Sequence, residues 1–378
     1  MVVGGGPAGA SCALSAAKAG LNVVLIEGEP MPRTKLCGGG LTQKSMRFLQ
    51  SRGLLRNELI LSSCDEMDVM FANGSQVSLK SMEPLVSVVH RSTFDKSLVD
   101  HAADAGAEVI AGDIFNRAQF ADKISVHTTK HTMKTRYLVG ADGVNSAVAR
   151  SAMLWSEWPT LKTALGLETD VPRPNDFNPA KIQIWIGDWS GYTWIFPRGD
   201  TLDVGIIGPK SSASILVASL EEFMSQHGYS GRVKGWHLPI AGYGPTPNVA
   251  GKNVILVGDA AGTTDPWFGE GIYFALETGE LAANACLEEN PTRTYLRSYR
   301  DLWGDMKWAG RFAKGFYEHR SFVPYFFQNN HEIQTLLERL LSGEITFRQL
   351  YFRVGLQSPR YALSFLLNRM IGRRTNFA

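Results

Sequence analysis

Val254-Ile-Leu-Val-Gly258-Asp259-Ala-Ala-Gly262-Thr-Thr-Asp265-Pro266-Trp267-Phe268-Gly269-Glu270-Gly271-Ile272 runs from an apolar strand through Gly-Asp into a Pro-x-x-Gly-x-Gly turn. The turn predicts a helix from Ile272 to about Glu288. A helix amino terminus presents unsatisfied N–H groups and the positive end of the dipole, and glycines let the backbone approach a planar group closely. That combination suits a flavin. Asp259 is placed to accept from the ribityl hydroxyls, with Gly258 and Gly269 allowing the approach. The N–H groups near Gly271 and Ile272 would face the pyrimidine edge, where negative charge collects on reduction. Taken alone, these residues also fit an ordinary strand-to-helix turn, so the reading depends on the rest of the chain.

The amino terminus supplies the companion motif. Gly4-Gly-Gly6-Pro7-Ala8-Gly9 fits G-x-G-x-x-G, small residues Ala10, Ser11 and Ala13 follow, and the helix should end at Ala19-Gly20. The apolar run 21–26 is a second strand with Glu27 at its end. This is the order of a dinucleotide fold: tight turn, pyrophosphate on the helix terminus, then an acid for the ribose hydroxyls. Glu27 would repel a 2′-phosphate, so the ligand is FAD or NAD rather than NADP. Only Met1, Val2 and Val3 precede the turn, whereas strands usually have about five or six residues. The natural chain is therefore expected to begin a few residues earlier.

Cys37-Gly38-Gly39-Gly40 places three glycines directly after a cysteine, a large entropic cost that some close approach must justify. With FAD on the first turn, this loop extends towards the flavin ring; the alternative is a plain connection with a buried thiol. Arg33, just upstream, either neutralises the pyrophosphate or is a solvated charge. The pattern over 45–61 is helical, and 67–79 alternates as strands around the turn Ala72-Asn-Gly-Ser75. His90-Arg91-x-x-Phe94-Asp95 begins a further helix, from which Arg91 is a candidate for packing along the cofactor. Residues 107–128 read as further strands of the nucleotide domain, with Ile114 near an adenine. In Tyr137-Leu-Val-Gly140-Ala-Asp142-Gly143-Val-Asn145-Ser146, Asp142 and Gly143 form a third fingerprint near the pyrophosphate, and Ser146 should cap the next helix.

From 162 to 208 the period becomes two. Three runs, 181–187, 191–197 and 201–208, look like neighbouring antiparallel strands, with Trp185, Tyr192, Trp194 and Phe196 giving aromatic surface to a core or a substrate wall. Residues 211–228 look helical, and the Gly/Pro-rich run 239–251 returns to the first domain. The fold expected is α/β: a Rossmann-type FAD-binding domain with an inserted antiparallel β-sheet substrate domain and a helical tail. Its parts are 1–60, 86–155 and 245–290; 61–85 and 156–244; and 291–378.

In the tail, Ile333, Leu336, Leu337, Leu340 and Leu341 form an apolar stripe ended by Gly343. Ser358-Pro359 begins a last helix with Leu363, Leu366, Leu367, Met370 and Ile371 on one face, stopped at Gly372. Arginines at 348, 353, 360, 369, 373 and 374, with no acidic residue beyond 348, suit either an anionic lipid surface or a solvated fringe.

The chain of 378 residues exceeds the usual single-core size. It is 44% hydrophobic and 20% charged, and its formal charge of +2 with a pI near 8.3 is too mild to imply nucleic acid. Cys12, Cys37, Cys64 and Cys286 lack CxxC spacing, which argues against zinc, iron–sulfur or disulfide frameworks and fits a reducing compartment. No metal is expected. Neither a membrane-spanning apolar run nor a cleavable signal is visible, so the expected location is cytoplasmic, with peripheral membrane contact through the tail.

Together these residues resemble the geranylgeranyl reductase family of FAD-dependent oxidoreductases, within the p-hydroxybenzoate-hydroxylase-like fold. The resemblance covers roughly residues 1–290. Its telling pieces are Cys37-Gly-Gly-Gly40, Tyr192-x-Trp194-x-Phe196-Pro197 and Gly269-Glu-Gly-Ile272-x-x-Ala275-Leu-x-x-Gly279. Aromatic hydroxylases of the fold typically carry Gly-Gln-Gly-Met-Asn at the third piece, and flavin halogenases Trp-x-Trp-x-Ile-Pro at the second. Membership implies reduction of isolated C=C bonds in a prenyl chain of a lipid, pigment or quinone. An isolated alkene cannot stabilise a carbanion, so proton delivery must accompany or lead hydride transfer, and aromatic faces offset the charge at the tertiary carbon. Tyr192, Trp194, Trp267 and Phe268 are placed around that carbon, and Cys37, Tyr192 or a water is the proton donor. The electron donor is NAD(P)H docking transiently or a ferredoxin-like carrier. An aromatic or polyketide monooxygenase and a non-enzymatic flavin-binding lipid carrier or redox sensor are the rivals.

Overall fold

The computed structural model describes residues 1–156, 163–187, 189–320, 323–328 and 330–355. Short strands, mostly buried away from the edges, form its central sheet. Val2–Val3 lies in the middle, Val24–Glu27 and Glu108–Ala111 extend to one side, and Leu138–Gly140 and Val254–Leu256 to the other. All these pair in parallel, and only the edge strand Ala250–Gly251 runs antiparallel. The chain builds outwards from Val2–Val3 first one way and then the other. Such a switch point opens a crevice at the carboxyl ends of the strands.

Helices Pro7–Lys18 and Ile272–Ala285 pack against each other beside this crevice, with Ser11 Oγ donating to the Leu276 carbonyl at 2.7 Å. Gly279 permits the contact, because a Cβ there would stand 2.2 Å from the Ala8 carbonyl oxygen.

Two expected element boundaries need correction. The helical pattern over 45–61 forms a helix only over Gln43–Ser51; Gly53, at φ +67°, turns the chain out, and Ile60–Cys64 pairs with Val86–Val89 instead. Of residues 107–128, only Glu108–Ala111 joins the nucleotide sheet. Phe115–Phe120, Ile124–Thr128 and Thr132–Thr135 form a separate antiparallel meander.

A seven-stranded sheet stands across the crevice, in the order Lys234–Pro239, Thr163–Pro172, Thr201–Pro209, Tyr192–Arg198, Lys181–Ile186, Glu66–Phe71, Gln76–Lys80. Alternation divides its side chains between two buried faces. Leu167, Val171, Ile195, Leu202, Val204 and Ile206 pack against helix Ala213–Gln226 through Leu216, Leu220 and Phe223. Tyr192, Trp194, Phe196 and Ile207 occupy the opposite face. Trp185 does not join them. It is opposite Thr193 in register, so it points towards the helix and meets Phe223 edge-on at 4.7 Å between ring centroids.

The chain then forms the long helix Pro291–Glu318, followed by Val323–Gln328 and His331–Leu341. The stripe Ile333, Leu336, Leu337, Leu340, Leu341 is buried, and Gly343 ends it at φ +78°. Among the described residues no helix is long and apolar enough to cross a membrane. The helix expected from Ser358 to Gly372, and arginines 360, 369, 373 and 374, lie outside the described residues.

Candidate active site

The glycine turn after Val2–Val3 is built by close backbone contact. Gly4 sits at φ +107° with its Cβ position 2.3 Å from the Ala141 carbonyl oxygen, and a Cβ at Gly9 would lie 1.8 Å from the Gly4 oxygen. Gly6 precedes Pro7, the first helical residue, and only the Arg33 guanidinium approaches its Cβ position. Glu27 accepts from the N–H of Gly5 at 2.7 Å and of Glu29 at 3.1 Å. Arg33 bridges Glu27 and Asp95 at 3.3 Å each. Arg91 is buried and forms a bidentate pair with Asp95 at 2.8 and 2.9 Å. Burial opposes its charge, but Asp95 and then Cys37 outweigh that and hold the guanidinium above its usual pKa. Arg91 thus joins the crevice to the Cys37 loop.

Ile114 is 55% exposed and stands beside Gly28, at the carboxyl ends of the second and third parallel strands. Asp142 is turned onto its own helix: it accepts from Ser146 Oγ at 2.6 Å and the Val148 N–H at 3.0 Å, while Ser146 caps Ala149 at 2.9 Å. Burial raises the Asp142 pKa. Gly143, at φ +79°, has nothing within 4 Å of its Cβ position.

Beyond the crevice lies an apolar chamber of about 220 Å³. Cys37, Tyr192, Trp194 and Trp267 all line it, with Gly38, Gly39, Gly40, Gly269, Gly271 and Ile272. Ile182, Ile184 and Ile186 continue its wall, and Phe316 and Leu337 from the carboxyl-terminal helices help close it. The glycines after Cys37 have a visible cause. Cβ positions at Gly38 and Gly40 fall 3.1 and 2.9 Å from the Phe196 ring, and at Gly39 2.2 Å from the Val89 carbonyl oxygen. The loop therefore lies flat on the aromatic strand.

Across the chamber, Asp265 organises the turn before the Ile272–Ala285 helix. Its carboxylate accepts from the N–H groups of Trp267 and Phe268 at 2.9 Å each and of Glu270 at 2.7 Å. Burial pushes Asp265 up to about 7 in spite of them. Tyr192 donates its hydroxyl to the Phe268 carbonyl, and burial lifts the phenol well above its ordinary pKa. Glu270 accepts from the hydroxyls of Thr42 and Ser45, and burial raises its pKa too. Asp259 accepts from Thr264 Oγ1 at 3.2 Å and lies 3.7 Å from Lys35 Nζ. Gly258, at φ +58°, brings this turn against Ala8.

Sequence reasoning missed Asp265, Glu270, Thr42 and a buried trio beneath the Cys37 loop: Glu168, Arg198 and Asp203. The trio had a signal. Glu168, Asp203 and Arg198 alternate in phase with Gly166, Gly205 and Trp194, so each belongs to the chamber-side face of its strand.

The site residues thus divide into a crevice with two converging helix termini and a chamber that meets it at Gly271. The crevice fits an adenine dinucleotide, because its glycines hold Cβ atoms away from two helix ends that lack side-chain caps. A family model described as FAD binding domain matches residues 1–197. Geranylgeranyl diphosphate reductase of Rhodobacter capsulatus is 30% identical over 308 residues, 76% of this chain and 74% of its own length. A geranylgeranyl bacteriochlorophyll reductase-like protein from Thermoplasma acidophilum superposes with a TM-score of 0.67 at 22% identity, covering 94% of this chain and 89% of its own. A flavin-dependent brominase superposes with a TM-score of 0.76 at 21% identity, covering 90% and 92%. At such identities these two likenesses show the fold alone.

Proposed function

The chain belongs to the geranylgeranyl reductase family of FAD-dependent oxidoreductases, and we propose that it reduces isolated C=C bonds in the prenyl chain of a lipid, pigment or quinone. The observation that carries this is the chamber: nearly all apolar, and bounded by both the Cys37 loop and the end of the Ile272–Ala285 helix. An aromatic or polyketide substrate would want fixed polar partners for its oxygens, which these walls offer sparsely.

Bound FAD, reduced by NAD(P)H or a ferredoxin-like carrier, would supply the hydride. The protein's own residues do the rest. Gly4, Gly6, Pro7, Ala8 and Gly9 with Arg33 would hold the pyrophosphate, and Glu27 the ribose. Gly143 would leave room beside the pyrophosphate, Ile114 would cover the adenine, and Asp259 would take the ribityl hydroxyls. Gly258, Gly269, Gly271 and Ile272 would give the flavin its backbone bed, with Gly38, Gly39 and Gly40 towards its ring. Tyr192, Trp194 and Trp267 exclude water and set π faces towards the tertiary carbon that becomes electron-poor. The Tyr192 hydroxyl is committed to Phe268, so Cys37 is the better proton donor, and Arg91 stabilises the thiolate left behind. The parallel sheet serves FAD and the seven-stranded sheet serves the substrate. Exposed Arg348 and Arg353 beside Tyr351 and Phe352 support peripheral contact with anionic lipid.

The test is an anaerobic assay of the reduced holoprotein with geranylgeranyl lipids, read by mass spectrometry. Each double bond reduced adds two mass units, and C37S should slow this while FAD stays bound. Oxygen-dependent product would point to the monooxygenase, and absence of turnover on every prenyl lipid to a carrier or sensor.

A further inference from the structure

Beneath the Cys37 loop, one buried cluster of charged groups holds both ends of a single residue. Glu168 Oε1 accepts the Cys37 N–H at 2.8 Å from 131 positions along the chain, and Arg198 Nη2 donates to the Cys37 carbonyl at 2.8 Å from 161 positions. Arg198 also reaches Asp170 at 2.9 Å and Asp203 at 2.7 Å, the latter an ionic contact without an aligned hydrogen bond. Asp203 in turn accepts the Trp194 indole N–H. A cluster kept for stability would satisfy its members, since apolar residues of the same volume hold a sheet at least as well. Here Glu168 is 5% exposed, yet its Oε2 has no hydrogen-bond partner, and neither has Arg198 Nε.

We propose that Glu168 and Arg198 are positioning residues that clamp Cys37 between Arg91 and the chamber. The use made of the thiol rests on the reductase reading; the clamp does not. With the peptide fixed at N–H and carbonyl, the remaining freedom of Cys37 is its χ1 rotation, and the Gly39 N–H donating to Sγ at 3.4 Å narrows that further. Arg198 is turned to Asp203 and Asp170, while Glu168 meets a neutral N–H. Burial first and Asp203 second raise the Glu168 pKa. The other charged groups near the cluster are His90, which faces Arg198, and the exposed Lys234, opposite Glu168 in strand register.

The test is alkylation of Cys37 by iodoacetamide in FAD-loaded protein, followed peptide by peptide with mass spectrometry. E168Q keeps an acceptor for the Cys37 N–H, whereas E168A and R198M each remove one anchor. At neutral pH, E168Q should match the wild-type rate, while E168A and R198M should alkylate roughly tenfold faster as the loop loosens and should lose at least as much turnover. Wild-type alkylation in E168A, or an E168Q as disturbed as E168A, overturns the clamp. If E168A fails to hold FAD, R198M decides: wild-type alkylation in R198M overturns the clamp. A wild type that shows the alkylation pattern but reduces no prenyl chain removes the reductase reading and leaves the clamp standing.

Discussion

Gly205 should tolerate no side chain, and the reason is Trp194. An ideal Cβ at Gly205 lies 2.1 Å from Trp194 Cζ2 and 2.6 Å from both Cε2 and Cη2. The indole has nowhere to slide. Its Nε1 donates to Asp203, the Gly38 Cβ position is 3.2 Å from the same nitrogen, and the Tyr192, Phe196 and Trp236 rings stand at 6.1, 6.3 and 6.1 Å. Overpacking of this kind costs about 1–3 kcal/mol. Swinging the indole away also breaks a bond to a charged acceptor, for about 1.5–3 kcal/mol more. G205A should therefore lose about 3–5 kcal/mol, a large share of the ~5–15 kcal/mol that holds a typical protein folded. Urea unfolding of the FAD-loaded protein measures this. W194L removes the obstructing ring, so G205A added to W194L should cost only about 1–2 kcal/mol, a coupling of about 2–3 kcal/mol in a double-mutant cycle. A G205A midpoint indistinguishable from wild type, or a strictly additive cycle, would refute the packing argument.

Two further outcomes follow from the turns that flank the cofactor. G9A puts a methyl 1.8 Å from the Gly4 carbonyl oxygen, so the turn must open and FAD affinity should fall at least tenfold, about 1.4 kcal/mol; stoichiometric flavin absorbance after desalting would contradict this. For Asp265 the folded pKa of about 7 lies above that of an unfolded aspartate, so the stability it contributes is complete at acid pH and is lost as pH rises through about 7. D265N should flatten that slope, and unfolding midpoints of wild type and variant that run parallel between about pH 4 and 8 would sink it.

Much of the nucleotide crevice was legible because its causes are local. Gly4 and Gly9 are required by atoms within a few residues of them or on the adjoining strand end, and Ser146 caps the helix it precedes. The cost of Gly38, Gly39 and Gly40 was visible in the sequence, but not that Phe196 and Val89 demand them. Lys181, Gln183 and Trp185 share one phase of their strand and Ile182, Ile184 and Ile186 the other, but which phase faces the chamber is decided only by the pairing of Trp185 with Thr193. Asp265 was hidden in the quoted stretch, since Asp-Pro reads as a turn whether or not its carboxylate gathers three N–H groups.

From its residues alone this chain was bound to make a Rossmann-type crevice and an alternating aromatic sheet, because backbone dihedrals and side-chain period are set over a few neighbours. The chamber, the side of the sheet that lines it, and the meeting of Glu168 and Arg198 at Cys37 depend on strand register across more than a hundred residues. Register is chosen by burial of whole faces at once, so no short stretch contains it.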